Sequence, residues 1–433
     1  MRYFVWVAIF CFVMSFFFAD GRVLAQSGNP TGESSTSTAK SNLDQFEPRI
    51  PPRAVSYHRV NRALFLIGIA WKLAGFWVIL KFGILVRARN WAEERLAKRL
   101  ESKNSETSVA LSKAPRFSAI SLCFVAYSLF TVIWNLPIGL SALAIEWRFG
   151  FSHESLLVYF KDVLTNFFIG LSYCLLLYPG FWVATRFPRR WWLWVWAVIV
   201  PLSVMTAVIY PVAISPLFNR YARLPEGQLR REILILAQKA GLQGAEIFVE
   251  DTSARTSHVN AYVIGIGPTT RIVLNDTAIK ELPEDQILAV MGHEMGHYAE
   301  RHIWIGLAVG AVGSGFLLWV LSRMMAALLS WRGASWRIRS LNDPAAIPLL
   351  FLCIYLLTLA GEPFGTAVSR QLEHRADAYG LRLTHLNDAS ARLFVGFAER
   401  DFSDPDPPLW LHLWLGTHPT LKERISFARG FKE

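Results

Sequence analysis

Six long apolar runs constrain the fold of this chain more than any other feature of its sequence. They lie at residues 63–86, 117–145, 163–184, 191–218, 303–329 and 345–368. A helix of about 20 apolar residues spans the hydrocarbon core of a bilayer and satisfies its own backbone hydrogen bonds there. The 433-residue chain is 53% hydrophobic, which is outside the usual range for soluble globular proteins. The sequence therefore predicts an all-α polytopic membrane protein.

The N-terminal region leaves two possibilities open. A seventh apolar run, Tyr3 to Ala19, precedes Val23-Leu24-Ala25, which resembles the small-residue site at which signal peptides are cleaved. Residues 1–25 are therefore either a signal peptide or a first transmembrane helix, which gives six or seven spans in all. Residues 26–61 are predicted to be a disordered polar linker, because their Ser, Thr, Pro and Gly residues provide little apolar surface to bury.

The remaining chain divides by hydropathy. The sequence predicts a four-helix membrane region at 62–218, a catalytic region at 219–302, two further spans within 303–368 and a C-terminal region at 369–433. The stretch between the fourth and fifth spans is the long polar interval of the chain, so aqueous chemistry is expected there and in the C-terminal region.

The basic residues predict how the chain is oriented. The net charge is +11, but the Lys and Arg residues collect at the ends of apolar runs, which is typical of a membrane protein rather than of a nucleic-acid-binding surface. Segments 87–116, 185–190 and 330–344 contain eight, three and three basic residues, whereas 146–162 has two basic and three acidic residues. The rich segments are expected in the cytoplasm, so the catalytic side would be non-cytoplasmic, in a bacterial cytoplasmic membrane. The expected partners are a lipid bilayer and a peptide or protein substrate, with no nucleic acid.

Cysteine chemistry is not indicated. The four cysteines lie inside apolar runs without paired spacing, so neither a disulfide framework nor a cysteine-ligated zinc site is expected. They are Cys11, Cys123, Cys174 and Cys353.

The segment MGHEMGHYAERH, residues 291–302, is the strongest chemical signal. Pro283 and the acidic residues after it indicate the start of a helix, on which His293 and His297 are four residues apart and share one face. Two such imidazoles can bind one Zn²⁺ ion. Glu294 can then reach a metal-bound water without ligating the metal, which is the general-base position of an HExxH metallopeptidase.

Zinc requires a third protein ligand, leaving the fourth position for water. The extended motif HExxHxxGxxH is not matched, because Glu300 and Ile303 stand where Gly and His are needed, so His302 is disfavoured. The better candidate is Glu373 in SRQLEHRADAYG, residues 369–380. Asp377, one helical turn later, could orient a ligand imidazole. His374 remains a rival ligand.

Two other stretches point to the substrate. Residues 257–276 contain two β-like runs joined by Gly-Pro, which predicts a hairpin whose edge could hold an extended peptide by main-chain hydrogen bonds. Near the C-terminus, GTHPTLKERI contains His418, which could donate a hydrogen bond to the oxyanion of a cleaved peptide bond. Arg424, six residues later, is grouped with Asp377 as a residue that supports the ligands.

These motifs, in this order and spacing, resemble those of the type I CAAX prenyl protease family, which is related to the HtpX-type membrane proteases. The similarity covers the spans from about residue 60 and all of 219–433. It implies one Zn²⁺ per chain, held by His293, His297 and Glu373, and a transition-state role for His418. It also implies substrate docking along the edge strand at Asn260, Ala261 and Tyr262, with the site enclosed by seven membrane helices.

The resulting prediction is a membrane protein with a small β-hairpin/α zincin-like catalytic region. Its predicted function is that of a zinc metalloendopeptidase acting on membrane-associated or CAAX-like proteins. The alternative is a multi-spanning transporter or assembly factor with a structural or transported metal at the same site. A transporter is expected to carry more ionisable residues inside its spans than the few present here, such as Lys72, Lys81 and Glu362.

Overall fold

The structure is a computed structural model that describes residues 46–101, 117–172 and 174–432. Residues 1–25 and most of the predicted linker lie outside the described residues. The described helices are α1 Pro52–Lys81, α2 Ile84–Glu101, α3 Phe117–Phe149, α4 Leu156–Ser172, α5 Cys174–Arg186, α6 Trp191–Ile209, α7 Gln228–Lys239, α8 Asp276–Glu281, α9 Glu284–Ala299, α10 His302–Arg332, α11 Ile347–Thr384, α12 Asn387–Glu399, α13 Leu409–Leu415 and α14 Leu421–Gly430.

Six helical segments of the described chain are long and apolar enough to cross a membrane. They are Pro52–Lys98, Phe117–Phe149, Leu156–Arg186, Trp191–Leu217, His302–Arg332 and Pro344–Thr384. Each corresponds to one of the six apolar runs. The prediction of an all-α polytopic membrane protein with a small catalytic region is therefore confirmed.

The first helix begins earlier than the sequence indicated. The prediction of a linker through residue 61 is wrong from Pro52 onward, where α1 starts with proline in its first turn. Tertiary contacts explain the difference. The Tyr57 hydroxyl donates to Glu146 Oε1 at 2.7 Å, and the Arg62 guanidinium pairs with Asp404. A polar sequence therefore becomes helical because other parts of the chain provide partners for its side chains.

The catalytic region contains a four-stranded sheet rather than a lone hairpin. The strands are β1 Tyr221–Arg223, β2 Glu246–Glu250, β3 Ala261–Ile264 and β4 Arg271–Asn275, in the spatial order β1-β2-β4-β3. β3 and β4 form the predicted antiparallel hairpin, while β2 adds to β4 in parallel. β3 is consequently an edge strand. The core of this region includes Ile247, Ile272 and Leu274 of the sheet and Met291 and Met295 of α9.

The last span and the segment predicted to follow it form one uninterrupted helix. α11 continues 16 residues past the predicted end of the span at 368, to Thr384. Residues Glu373, Ala376, Asp377 and Gly380 on this extension are buried, because they pack against α9. The membrane helix thus carries its own C-terminal half directly into the catalytic region.

Candidate metal centre

Helix α9 presents the two histidines of the HExxH motif to the interior. Pro283 precedes the helix, and Glu284 and Asp285 in its first turn complement the positive end of the helix dipole. The buried side chains of Met291 and Met295 anchor the helix in the core of the catalytic region. His293 and His297, one turn apart, bring their Nε2 atoms to within 3.1 Å of each other.

Helix α11 completes the cluster with Glu373. Its Oε2 atom lies 3.2 Å from the Nε2 atom of His293 and 3.6 Å from that of His297. The Nε2 atom of His418, in the loop between α13 and α14, is 3.0 Å from the same oxygen. Three imidazoles from two parts of the chain therefore surround one carboxylate oxygen.

Small residues bring the two helices close enough for this arrangement. A Cβ atom on Gly296 would lie 2.9 Å from the carbonyl oxygen of Ala376, and one on Gly380 would lie 2.7 Å from the backbone nitrogen of His293. Side chains at these positions would force the helices apart. The sequence does carry a signal for this contact, which the motifs alone did not reveal. Small residues are four apart on both helices, at Gly292 and Gly296 on α9 and at Ala376 and Gly380 on α11.

The cluster fits a divalent cation. Glu373 Oε2 is buried and has no hydrogen-bond partner within the described residues, although three nitrogens lie around it. Two imidazoles and a carboxylate are a donor set that zinc binds well. Burial by itself lowers the pKa of His293, but the carboxylates of Asp377 and Glu373 outweigh it and raise that pKa to about 10. The pocket therefore favours positive charge.

Asp377 connects the cluster to Arg424. The Nδ1–H group of His293 donates to Asp377 Oδ1 at 2.8 Å. Arg424 in turn donates to both oxygens of Asp377, at 2.9 and 2.6 Å, and its guanidinium stacks over the Phe394 ring at 4.1 Å. Asp377 and Arg424 are both buried. This bidentate pair fixes the position of the carboxylate that accepts from His293.

His297 has a different neighbour on its outer nitrogen. Its Nδ1 atom lies 2.9 Å from Nδ1 of His302, the first residue of α10, and His302 is 1% exposed. The sequence disfavoured His302 as a metal ligand, and in the structure it lies behind His297 instead of beside its Nε2 atom.

Glu294 lies next to the cluster, on the wall of a cleft. Its Oε1 atom is 4.0 Å from His293 Nε2. Its Oε2 atom is buried without a hydrogen-bond partner in the described chain. Glu294, His293 and His418 all line a cleft of about 900 Å³, which includes its open mouth. The carboxylate is thus available to a molecule that enters the cleft.

The edge strand β3 forms one wall of the same cleft. Asn260 and Ala261 line it, next to apolar side chains that include Leu393, Phe394 and Phe427. The backbone N–H of Asn275 donates to the carbonyl of Asn260, so by antiparallel alternation the N–H and C=O groups of Ala261 turn to the open edge. The side chain of Tyr262 does not line the cleft; its hydroxyl donates to Glu250 Oε2 of β2 at 2.8 Å.

His374 lies outside the cluster. Its side chain is exposed to solvent and its ring packs on Phe427, with centroids 4.4 Å apart. A residue that sequence reasoning missed is Arg370, on the same helix. It donates to the carbonyls of His412 and Gly416, at 3.2 and 2.7 Å. These bonds tie the segment that carries His418 to α11.

Comparison with known proteins agrees with this geometry. The sequence model of peptidase family M48 matches residues 223–432, and that of the CAAX prenyl protease N-terminal region, five membrane helices, matches residues 40–220. The described residues contain four candidate spans within the latter range. Membership of a peptidase family favours the enzyme over the transporter or assembly factor.

Individual proteins resemble the chain over most of its length. The uncharacterized metalloprotease YhfN of Bacillus subtilis is 32% identical over 87% of this chain and 84% of its own. CAAX prenyl protease 1 of Saccharomyces cerevisiae is 27% identical over 88% of this chain and 86% of its own. The crystal structure of S. mikatae Ste24p shares the fold, with a TM-score of 0.71, 21% identity and 98% of both chains covered. The chain therefore belongs to the CAAX prenyl protease family within peptidase family M48, and it is a membrane metalloendopeptidase.

Proposed function

We propose that the chain is a zinc-dependent endopeptidase whose ligands are His293, His297 and Glu373, with one Zn²⁺ per chain. The observation that supports this proposal is the buried Glu373 oxygen with two Nε2 atoms of the HExxH helix 3.2 and 3.6 Å away. Three protein ligands leave one position open, as in catalytic rather than structural zinc sites. When bound, zinc supplies a Lewis acid that polarises the scissile carbonyl and lowers the pKa of water.

The other groups of the cleft have distinct roles in hydrolysis. Glu294 acts as the general base, because its carboxylate lines the cleft beside His293 and can accept a proton from the attacking water and pass it to the leaving amine. His418 donates from Nε2 to the oxyanion that forms on the scissile carbonyl. Asp377, held by Arg424, fixes the ring of His293 so that its Nε2 atom points into the cleft.

The substrate is proposed to bind as an added strand on β3. The backbone groups of Ala261 face the open edge of the sheet, and Asn260 and Ala261 line the cleft beside Glu294. Of the stretch Asn260, Ala261 and Tyr262, Ala261 then holds the peptide through its main chain. The main-chain groups of its two neighbours pair with β4, and the Tyr262 side chain braces the strand through Glu250. The substrates are membrane-associated or CAAX-like proteins, since the catalytic region is continuous with membrane helix α11 and several relatives are CAAX prenyl proteases.

The proposed location is the cytoplasmic membrane of a bacterium, with the cleft on the non-cytoplasmic side. The basis is the charge of the loops, since segments 87–116, 185–190 and 330–344 contain eight, three and three basic residues, whereas 146–162 has two basic and three acidic residues.

The test of this function is the Glu294→Gln variant. Glutamine keeps the size of the side chain but cannot take a proton, so zinc content should remain near one per chain while hydrolysis of a reporter peptide falls by about 10²–10⁴-fold, the usual contribution of a general base. A chelator should abolish wild-type activity and added Zn²⁺ should restore it. Cleavage by Glu294→Gln at the wild-type rate would contradict the role of Glu294 as general base. Failure of the purified wild-type protein to retain zinc after incubation with Zn²⁺ would contradict the proposed zinc site.

A further inference from the structure

His302 contacts one of the proposed ligands without belonging to the ligand set. Its Nδ1 atom is 2.9 Å from Nδ1 of His297, and the two rings are inclined by 74° with centroids 5.0 Å apart. This distance and near-perpendicular arrangement are those of a hydrogen bond between ring nitrogens rather than of stacked rings. His302 therefore stands behind His297 as Asp377 stands behind His293.

A break in the helix creates this contact. On an uninterrupted α-helix, side chains five residues apart point about 140° away from each other. Helix α9 ends at Ala299, and Arg301 adopts a left-handed conformation with φ 55° before α10 begins at His302. This conformation is unfavourable for a residue with a Cβ atom. It turns the chain so that the first side chain of α10 faces back toward His297.

The position of the proton on His297 decides which of the two histidines donates the hydrogen bond. A histidine that gives its Nε2 lone pair to a metal carries its proton on Nδ1, and that N–H must find an acceptor. His297 directs Nε2 toward Glu373 and His293, so its Nδ1–H faces His302. His302 can accept only if its own Nδ1 is unprotonated, which leaves its proton on Nε2.

Packing alone does not explain a histidine at this position. His302 is 1% exposed, and its Nε2 atom is buried with no hydrogen-bond partner among the residues that the structure describes. A buried polar atom without a partner is destabilising, and an aromatic hydrocarbon ring of similar shape would avoid that penalty. The group that distinguishes histidine from phenylalanine here is the nitrogen that meets His297.

We propose that His302 is a positioning residue, a neutral imidazole that accepts a hydrogen bond from His297 and thereby fixes that ligand for zinc. The proposal rests on the proposed function, because it requires His297 to bind the metal. The two histidines of the HExxH motif are then oriented by different groups, one by the carboxylate of Asp377 and the other by an imidazole.

The test compares replacements that differ in one atom type. In His302→Asn the side-chain amide oxygen can occupy the place of Nδ1 and accept the bond, whereas His302→Phe keeps the ring and removes the acceptor. Zinc affinity of the full-length protein in detergent is measured by competition with a fluorescent chelator. We expect His302→Phe to bind zinc about 10–100-fold more weakly, the usual effect of losing such a partner, and His302→Asn to stay within a few-fold of wild type. His153→Ala, at an exposed histidine distant in sequence from the cluster, serves as the control.

Equal zinc affinity of wild type and His302→Phe would overturn the proposal. Equal losses in His302→Phe and His302→Asn would also overturn it, because they would indicate a packing role. If wild type binds zinc and His297→Ala does not, these outcomes refute the role of His302 alone. Failure of wild type to bind zinc refutes the proposed function itself.

A second measurement applies even if His302→Phe does not fold. In zinc-loaded wild-type protein with ¹⁵N-labelled histidine, the resonances that disappear in His302→Asn should show an unprotonated Nδ1 and a protonated Nε2. A proton on Nδ1 of His302 would exclude it as the acceptor.

Discussion

At the scale of single residues, the two glutamates of the cluster differ in what surrounds their oxygens. Glu373 Oε2 has three imidazole nitrogens at 3.0–3.6 Å, whereas the nearest of these nitrogens to Glu294 Oε1 is 4.0 Å away. A ligand must converge with other donors on one point, while a base needs an oxygen free to take a proton. The geometry therefore separates the two proposed roles.

The choice of Glu373 over its neighbour His374 can be tested directly. Glu373→Gln should lower zinc occupancy strongly, because the anionic oxygen is lost from the buried cluster. His374→Ala should keep the metal, since that side chain is exposed and packs on Phe427. Asp377→Asn should weaken zinc binding by about 10–100-fold. Zinc content and affinity of the purified variants are the measurements. Loss of zinc in His374→Ala with retention in Glu373→Gln would contradict the assignment.

His418 is close enough to Glu373 to be a fourth ligand, so its role also requires a test. If it donates to the oxyanion, His418→Ala should bind zinc nearly as tightly as wild type and lose about 10²–10³-fold in kcat. The measurements are zinc affinity and steady-state kinetics on the same preparation, with His374→Ala as the control histidine. Loss of zinc from His418→Ala would show that it is a ligand and that the oxyanion donor lies elsewhere.

At the scale of elements, the site depends on the contact between α9 and α11. At this contact both helices have small residues spaced four apart, Gly292 and Gly296 on α9 and Ala376 and Gly380 on α11. The resulting close approach of the helix axes lets the side chains of His293 and His297 on α9 meet that of Glu373 on α11. Gly296 and Gly380 face backbone atoms of the opposite helix, which cannot rotate away to make room for a side chain.

Gly296→Ala is expected to disturb this contact. Its methyl group would lie 2.9 Å from the carbonyl oxygen of Ala376, and overpacking of this kind destabilises by about 1–3 kcal/mol. The melting temperature should fall, and zinc affinity should fall with it as the histidines move away from Glu373. Gly361→Ala on α11 is the matched control, because a methyl group there meets no described atom within 4 Å. Equal thermal stability and zinc affinity in the two variants would show that the close packing is dispensable.

The sequence predicts those elements whose cause is local. The six spans follow from their length and hydropathy, and HExxH follows from the helical spacing of His293 and His297. Nonlocal causes are not visible in the same way. β1 has only three residues and forms by pairing with β2, and α1 extends back to Pro52 because Glu146 and Asp404 offer partners for its polar side chains. The left-handed conformation of Arg301 could not be predicted, because no glycine or asparagine marks the position. It brings His302 against His297, and that contact is between residues on two different helices.

At the scale of the whole molecule, the loops segregate into two groups. At one end, Arg89 is paired with Asp343, and Asn342 donates to Thr185 at 3.0 Å, which joins residues 87–101, the described part of the first basic segment, to segments 185–190 and 330–344. At the other end, Ser152 pairs with Thr256 of the catalytic region. The described parts of the basic segments therefore lie together and away from the cleft, as a single topology with alternating loops requires.

This segregation makes the proposed orientation testable with two cysteines. Ser335 lies in the basic loop after α10, Gln243 lies in the turn after α7, and both are exposed. In intact cells, a membrane-impermeant thiol reagent should label Gln243→Cys and leave Ser335→Cys unlabelled, because the basic end is retained in the cytoplasm. The parent protein controls for its native cysteines, of which Cys123 and Cys353 are buried. Permeabilised cells should label both variants. Labelling of Ser335→Cys alone in intact cells would place the cleft on the cytoplasmic side, where it would meet the C-termini of cytosolic proteins instead.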